Sequence, residues 1–274
     1  MLPPDNHVHS RWSWDTASSS TMELACERAR DLGLPGVAFT EHVDFTDWGV
    51  GDGTALITHV GARPRVQPLD VAGYSADIAR CRELFPELRV QAGIEAGEPH
   101  LFAASVGKVL AAGNFERVLG SLHAIECDGV LEGVDGALFR RLGPHDLMRR
   151  YFTEMVALVG SSSAFNVLAH CDYPRRYWPS RRVGEYDEGE FEEEYRAVFR
   201  VLASSGRALE INTRSPLASV ELVRWWWQEG GDAVSFGSDA HEASRVGEKF
   251  DVAVDIVEAA GFRPGRDRLD FWRR

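Results

Sequence analysis

Along the 274-residue chain, short apolar runs of strand-like composition alternate with longer segments whose apolar residues recur at helical spacing. The short runs fall at 5–9, 36–40, 90–95, 117–122, 166–170, 208–212 and 233–237. Helical spacing predicts helices over 74–85, 101–112, 145–161, 187–205, 217–229 and 242–260. An earlier helix is opened by Ser20-Thr21-Met22-Glu23, which reads as a capping box, and closed by Gly33. Gly113, Gly206, Gly230 and Gly261 stand just past four of these helices, where a left-handed cap is expected. Seven strand–helix units in strict alternation predict parallel strands with helical crossovers. The apolar run Val167-Leu168-Ala169 fits a sheet buried on both faces. The irregular stretch 43–73, rich in Gly, Pro and Asp, is long enough to be expected to be either functional or mobile. There is no repeat, low-complexity segment or linker, and one domain over 1–274 is expected.

Alternation alone fits an open doubly wound sheet as well as a barrel. The polar residues favour the barrel. His7 and His9 lie two apart on the first strand, so both rings face one side and offer a bidentate metal site. Glu41 and His42 end the second strand, Glu95 the third, His123 the fourth, His170 the fifth, Asn212 the sixth, and Asp239 with His241 the seventh. In a parallel barrel these ends converge on one face, where the active sites of such barrels lie. Six of the nine histidines gather there, too many for satisfied core residues.

Several carboxylates in one mouth raise each other's pKa unless cations neutralise them. Imidazole and carboxylate donors together suit Zn, Fe or Mn better than Ca or Mg, and the donor count calls for two or three divalent ions. Such ions activate water and clamp the oxygens of a displacement, which suits phosphate-ester hydrolysis. Composition narrows the partner. The net charge of −12 disfavours long nucleic acid but permits a small anion bound by local arginines. No run is long and apolar enough for a membrane helix, and the N-terminus does not read as a signal peptide. A cytoplasmic protein with no membrane partner is therefore expected, its oligomeric state left open. The four cysteines form no C-x-x-C pair and read as reduced packing thiols.

The pieces 6–10 (NHVHS), 40–42 (TEH), 93–95 (GIE), 120–123 (GSLH), 169–172 (AHCD), 210–213 (EINT) and 237–241 (GSDAH) resemble, in order, the motifs of the polymerase-and-histidinol-phosphatase (PHP) family. The histidinol-phosphatase branch is the most similar, with basic residues just after the fifth strand. The resemblance implies a distorted (β/α)7 TIM-like barrel with a trinuclear metal site. One ion would take His7, His9, Glu95 and Asp239; a second would share Glu95 and add His123 and His170. A third would take His42, His241 and Asp15, the last standing where the family usually has His. The implied reaction is hydrolysis of L-histidinol phosphate to L-histidinol and phosphate, a step of histidine biosynthesis. A phosphodiesterase or nucleotide phosphatase of the same fold, and a non-catalytic metal-binding barrel, are the alternatives.

Arg175, Arg176 and Arg214 follow the fifth and sixth strands and should reach the mouth; Arg176 and Arg214 are the expected phosphate ligands of a small phosphorylated substrate. Trp12, Trp14, Trp48 and Trp178 either wall the pocket or pack over it. Trp225, Trp226 and Trp227 read as packing or an oligomer contact. His59 and His145 read as solvated, and Glu41 as orienting a ligand rather than binding the ion. Asp172 and Glu98 could play similar supporting parts, and Cys171 should turn away from the pocket.

Overall fold

The computed structural model describes residues 2–46, 66–214 and 216–274. Its strands are β1 (Asp5–Val8), β2 (Gly36–Val43), β3 (Arg89–Gly97), β4 (Arg117–Ser121), β5 (Ala124–Cys127), β6 (Val130–Gly133), β7 (Val167–Leu168), β8 (Ala208–Asn212), β9 (Ala233–Gly237) and β10 (Trp272–Arg273). Among the described residues, eight of these make one sheet in the order β1-β2-β3-β4-β7-β8-β9-β10, parallel up to β9. The sheet curls into a distorted TIM-like barrel. Two backbone bonds close its seam beside the site: Asp239 N donates to His7 O (2.8 Å) and His9 N to Ala240 O (2.9 Å). The helices are α1 (Met22–Asp31), α2 (Val71–Leu84), α3 (Ala103–Ala112), α4 (Gly136–Leu142), α5 (Pro144–Ser161), α6 (Ser180–Val183), α7 (Glu192–Ser204), α8 (Val220–Gln228) and α9 (Phe250–Ala259). Their apolar faces and the sheet share one large core, while Leu119, Val167, Ala169, Ala208 and Ala233 form a smaller cluster covered by Phe271.

The seven expected parallel strands are all present, and two features were not anticipated. β10 adds an antiparallel edge to β9 at Trp272 and Arg273, too short a run to show a period. β5 and β6 form a separate hairpin turning at Asp128 and Gly129, both at positive φ (54° and 83°). The Asp-Gly pair flanked by apolar residues is a hairpin signal legible in the sequence. β2 runs on to Val43, so Glu41 and His42 lie inside it rather than at its end; β7 is only two residues, so His170 stands on the loop beyond. The helix expected over 242–260 is broken. Positive φ at Gly247 (67°) and Lys249 (60°) separates a short turn at Ala243–Arg245 from α9.

The expected capping box does not form, because Leu24 rather than Glu23 stands three residues after the cap. Thr21, not Ser20, caps α1 and accepts from Leu24 N. Gly206, Gly230 and Gly261 have the left-handed φ expected of them, but Gly113 is extended (φ −144°). Most of the irregular stretch, with Trp48 and His59, lies outside the described residues. No helix among the described residues is long and apolar enough to cross a membrane.

Candidate metal centre

Parallel pairing sets the site. The register aligns His42 on β2 with Glu95 on β3 and Glu95 with Leu119 on β4, which carries His123 to the same rim. On β1 the two-residue period brings the Nε2 atoms of His7 and His9 to 3.0 Å. The structure gathers all nine expected ligands, His7, His9, Asp15, His42, Glu95, His123, His170, Asp239 and His241, and all but half-buried Asp15 are buried.

Glu95 is the centre of the cluster. Its Oε1 lies 2.7 Å from His170 Nε2 and 3.3 Å from His123 Nε2. Its Oε2 faces another group: His7 Nε2 and His9 Nε2 at 3.4 Å each, and His42 Nδ1 at 3.1 Å. Asp239 Oδ1 is 3.5 Å from His9 Nε2 and 3.9 Å from His7 Nε2. On the outer side, Asp15 Oδ2 meets His241 Nε2 at 2.9 Å and His42 Nε2 at 3.5 Å. Asp239 holds a left-handed φ of 52°, uncommon for a residue with a side chain and a mark of backbone set by its surroundings.

Burial pushes the Glu95 carboxyl up, and His7, His123 and His42 hold it well below the usual carboxylate range. Burial acts the same way on Asp239, and Arg176, Arg214 and His7 outweigh it. Burial disfavours charge on His123, yet Glu95 and Asp44 push that ring up to about 10. The surroundings of Glu95 and Asp239 thus favour their ionised forms, a setting that draws positive charge towards them.

The donor set fits divalent cations. Glu95 Oε2 is buried without a hydrogen bond, an expensive state unless a cation takes its lone pair. His7 Nδ1 lies 2.6 Å from Glu210 Oε1. A carboxylate only accepts, so the His7 proton sits on Nδ1 and the Nε2 lone pair faces the cluster.

Three residues of this centre were not anticipated. Glu210 on β8 orients His7 and also accepts from His170 N (2.8 Å) and Asn212 Nδ2 (3.1 Å). Its signal was a carboxylate two residues before Asn212, on the same face of an otherwise apolar strand. Asp44 stands between His42 Nδ1 (3.5 Å) and His123 Nδ1 (3.4 Å) and accepts from Trp14 Nε1 (2.8 Å). Ser13 lies against His9. Asp44 and Ser13 sit in loops, where no period marks them.

The centre opens into a pocket whose walls include Trp14, Tyr173, Arg176, Tyr177 and Arg214. Arg176 pairs with Asp239 and reaches Asn212 Oδ1 (3.2 Å), its guanidinium 4.9 Å from the centroid of the Tyr173 ring. Arg214 Nη1 reaches Asp239 Oδ1 (3.0 Å) and His241 Nδ1 (2.8 Å).

Arg175 does not reach the pocket as expected; Glu188 (2.6 Å) and Asp172 (3.4 Å) draw it outward. Of the tryptophans, Trp12 bonds Asp77, and Trp178 packs on Phe139, Tyr186 and Phe191, so neither is a pocket wall. Trp225 and Trp226 are buried packing residues. His145 pairs with Glu190 at the surface, and Cys171 is buried outside the ligand cluster. Glu98 takes the supporting place considered for it, accepting from the backbone of His123 (2.6 Å) and Ala124 (2.9 Å). Asp172 instead bonds Tyr195 and Arg175.

Fold and site together define the class: an α/β barrel hydrolase built to work with divalent metal ions. The chain belongs to the PHP-domain family, whose model matches residues 5–214. It is 27% identical to a histidinol-phosphatase of Lactococcus lactis over 274 aligned residues, covering 96% of this chain and 93% of that protein. A "probable histidinol-phosphatase" of Deinococcus radiodurans is 28% identical, covering 94% of each chain. The crystal structure of the Lactococcus lactis histidinol phosphate phosphatase, complexed with Zn, L-histidinol and phosphate, superposes with a TM-score of 0.78 at 24% identity over 98% of both chains, which establishes the fold. Family and relatives together indicate a phosphoric monoester hydrolase.

Proposed function

We propose that this protein hydrolyses L-histidinol phosphate to L-histidinol and phosphate, and so serves histidine biosynthesis. The observation that carries the reading is Glu95, which turns one carboxylate oxygen to His123 and His170 and the other to His7, His9 and His42, beside two arginines. One carboxylate serving two groups of imidazoles is the donor arrangement of adjacent cations. His7, His9, Glu95 and Asp239 would hold one ion, Glu95, His123 and His170 a second, and Asp15, His42 and His241 a third, with Zn, Fe or Mn as the metals their chemistry suits. When bound, such ions supply Lewis acidity to phosphate oxygens and lower the pKa of the attacking water.

The remaining work belongs to the side chains. Arg176 and Arg214 present planar guanidiniums to the phosphate oxygens, the geometry suited to bidentate binding. Asp239 keeps both guanidiniums on the wall beside the cluster. Trp14, Tyr173 and Tyr177 flank them, giving the organic part of a small monoester an aromatic wall and excluding water. The relatives named histidinol-phosphatase, one of them seen with L-histidinol and phosphate, support this substrate over other monoesters.

The test is phosphate release from histidinol phosphate, mononucleotides and an aryl phosphodiester, alongside metal analysis of the same purified protein. The expected result is highest kcat/KM on histidinol phosphate with bound divalent metal. A preference for a nucleotide or the diester replaces the substrate, and metal binding without turnover of any ester marks a non-catalytic barrel.

A further inference from the structure

One hydroxyl in the centre has every hydrogen-bonding valence assigned. Ser13 Oγ lies 2.6 Å from Glu41 Oε2, 3.0 Å from the backbone N of His42 and 3.0 Å from His9 Nδ1, all of them buried. A serine hydroxyl has one proton to give and two lone pairs to receive. The contact to Glu41 is the shortest and ends on a carboxylate oxygen that also accepts from Ser10 N (3.0 Å). The other Glu41 oxygen accepts from Ser10 Oγ (2.6 Å). The Ser13 proton is therefore spent on Glu41. The amide of His42 can only donate, so it fills one lone pair. The remaining lone pair can be satisfied only by an N–H, and the atom that faces it is His9 Nδ1.

We infer that Ser13, with its hydroxyl aligned by Glu41, is a positioning residue that fixes His9 as the Nδ1–H tautomer and aims its Nε2 lone pair at the cluster. That lone pair faces His7 Nε2, Glu95 Oε2 and Asp239 Oδ1. His7 gains the same orientation directly from Glu210, whereas His9 gains it through a hydroxyl whose direction is set one residue further away. The same hydroxyl takes the backbone of His42, so one side chain ties the ends of β1 and β2 together under two ligands. The inference rests on the metal-centre reading but not on the choice of substrate.

Orienting partners of ligand histidines are worth about 10- to 100-fold in metal affinity. In Ser13→Ala, His9 Nδ1 and His42 N lose the hydroxyl and Glu41 loses one of its three donors; Ser13→Thr keeps a hydroxyl at the same place. Zn²⁺ affinity is measured by chelator competition on the purified wild type and both variants. Nitrogen-15 NMR of the histidine rings in the Zn²⁺-loaded proteins reads which nitrogen of His9 carries the proton and how fast it exchanges. The expected result is His9 protonated on Nδ1 in wild type, with exchange much faster in Ser13→Ala, a Zn²⁺ affinity roughly 10- to 100-fold weaker there, and both properties restored in Ser13→Thr. Wild-type His9 carrying its proton on Nε2 overturns the inference whether or not either variant folds. An Ser13→Ala affinity equal to wild type, or a folded Ser13→Thr as weak as Ser13→Ala, overturns it too. Failure to cleave histidinol phosphate changes none of these readouts.

Discussion

Two arginines adjacent in sequence go to opposite uses, which makes them a controlled comparison at the scale of the residue. Arg176 lies in the pocket on Asp239 and Tyr173, while Arg175 is held by Asp172 and Glu188 under Tyr186. A hydrogen bond to a charged group contributes about 1.5–3 kcal/mol. Arg176→Ala should therefore lower kcat/KM on a phosphomonoester by roughly 10- to 100-fold, at about 1.4 kcal/mol per decade. Arg175→Ala should leave kcat/KM within about twofold and act on thermal stability instead, since it takes the guanidinium from two buried or half-buried carboxylates, Asp172 and Glu188. Steady-state kinetics and melting curves of both variants separate the effects; equal losses in kcat/KM would refute the division. A second comparison concerns Glu210. Glu210→Gln keeps the shape but can turn an amide towards His7, and metal affinity should fall by about 10- to 100-fold. Inductively coupled plasma analysis after dialysis against limiting chelator checks it.

At the scale of the element, the close packing of β8 and β9 places the acid that orients His7. Gly237 ends β9, and a methyl group there would overlap Glu210 Oε1 and sit against His7 Cβ. Gly237→Ala should therefore displace Glu210 from His7, lowering both melting temperature and metal content; overpacking of this kind costs about 1–3 kcal/mol. A variant as stable and as metal-rich as wild type would show that Glu210 has room to move. Elements of this kind were largely legible in the chain. The seven parallel strands were marked by apolar runs, and, because a barrel brings such tips together, their polar tips named every expected ligand but Asp15, which the family resemblance alone supplied. What escaped has local causes. Glu210 was hidden by its place mid-strand, where a carboxylate reads as an interruption until its alternation with Asn212 is counted. Asp44 and Ser13 lie on loops, where backbone turns rather than period choose the direction of a side chain. Arg175 was expected to reach the mouth along with Arg176, and the short turn Tyr173–Tyr177 separates them by pointing neighbours to different sides.

For the molecule as a whole, the ligands are spread so that bound ions would join distant parts of the chain. His7 and His9 come from its beginning, Asp239 and His241 from near its end, and the seam between β1 and β9 beside them is closed by two backbone bonds. Ions that bind the folded barrel and not the open chain add to its stability by mass action, about 2.7 kcal/mol at 100 times the dissociation constant. With an unfolding entropy of roughly 2 cal/mol/K per residue, a chain of this size should then melt about 5 °C higher when loaded. Exhaustive chelation should lower the melting temperature and abolish phosphate release together, and Mn²⁺ or Zn²⁺ should restore both. His7→Ala removes a ligand that flanks the seam, so the part of the thermal gain due to its ion should disappear while ions on the far side of Glu95 still contribute. Calorimetry with and without metal, on wild type and His7→Ala, measures that difference. If chelation ends catalysis and leaves the melting temperature unmoved, the ions act on substrate alone and the seam holds by its own hydrogen bonds.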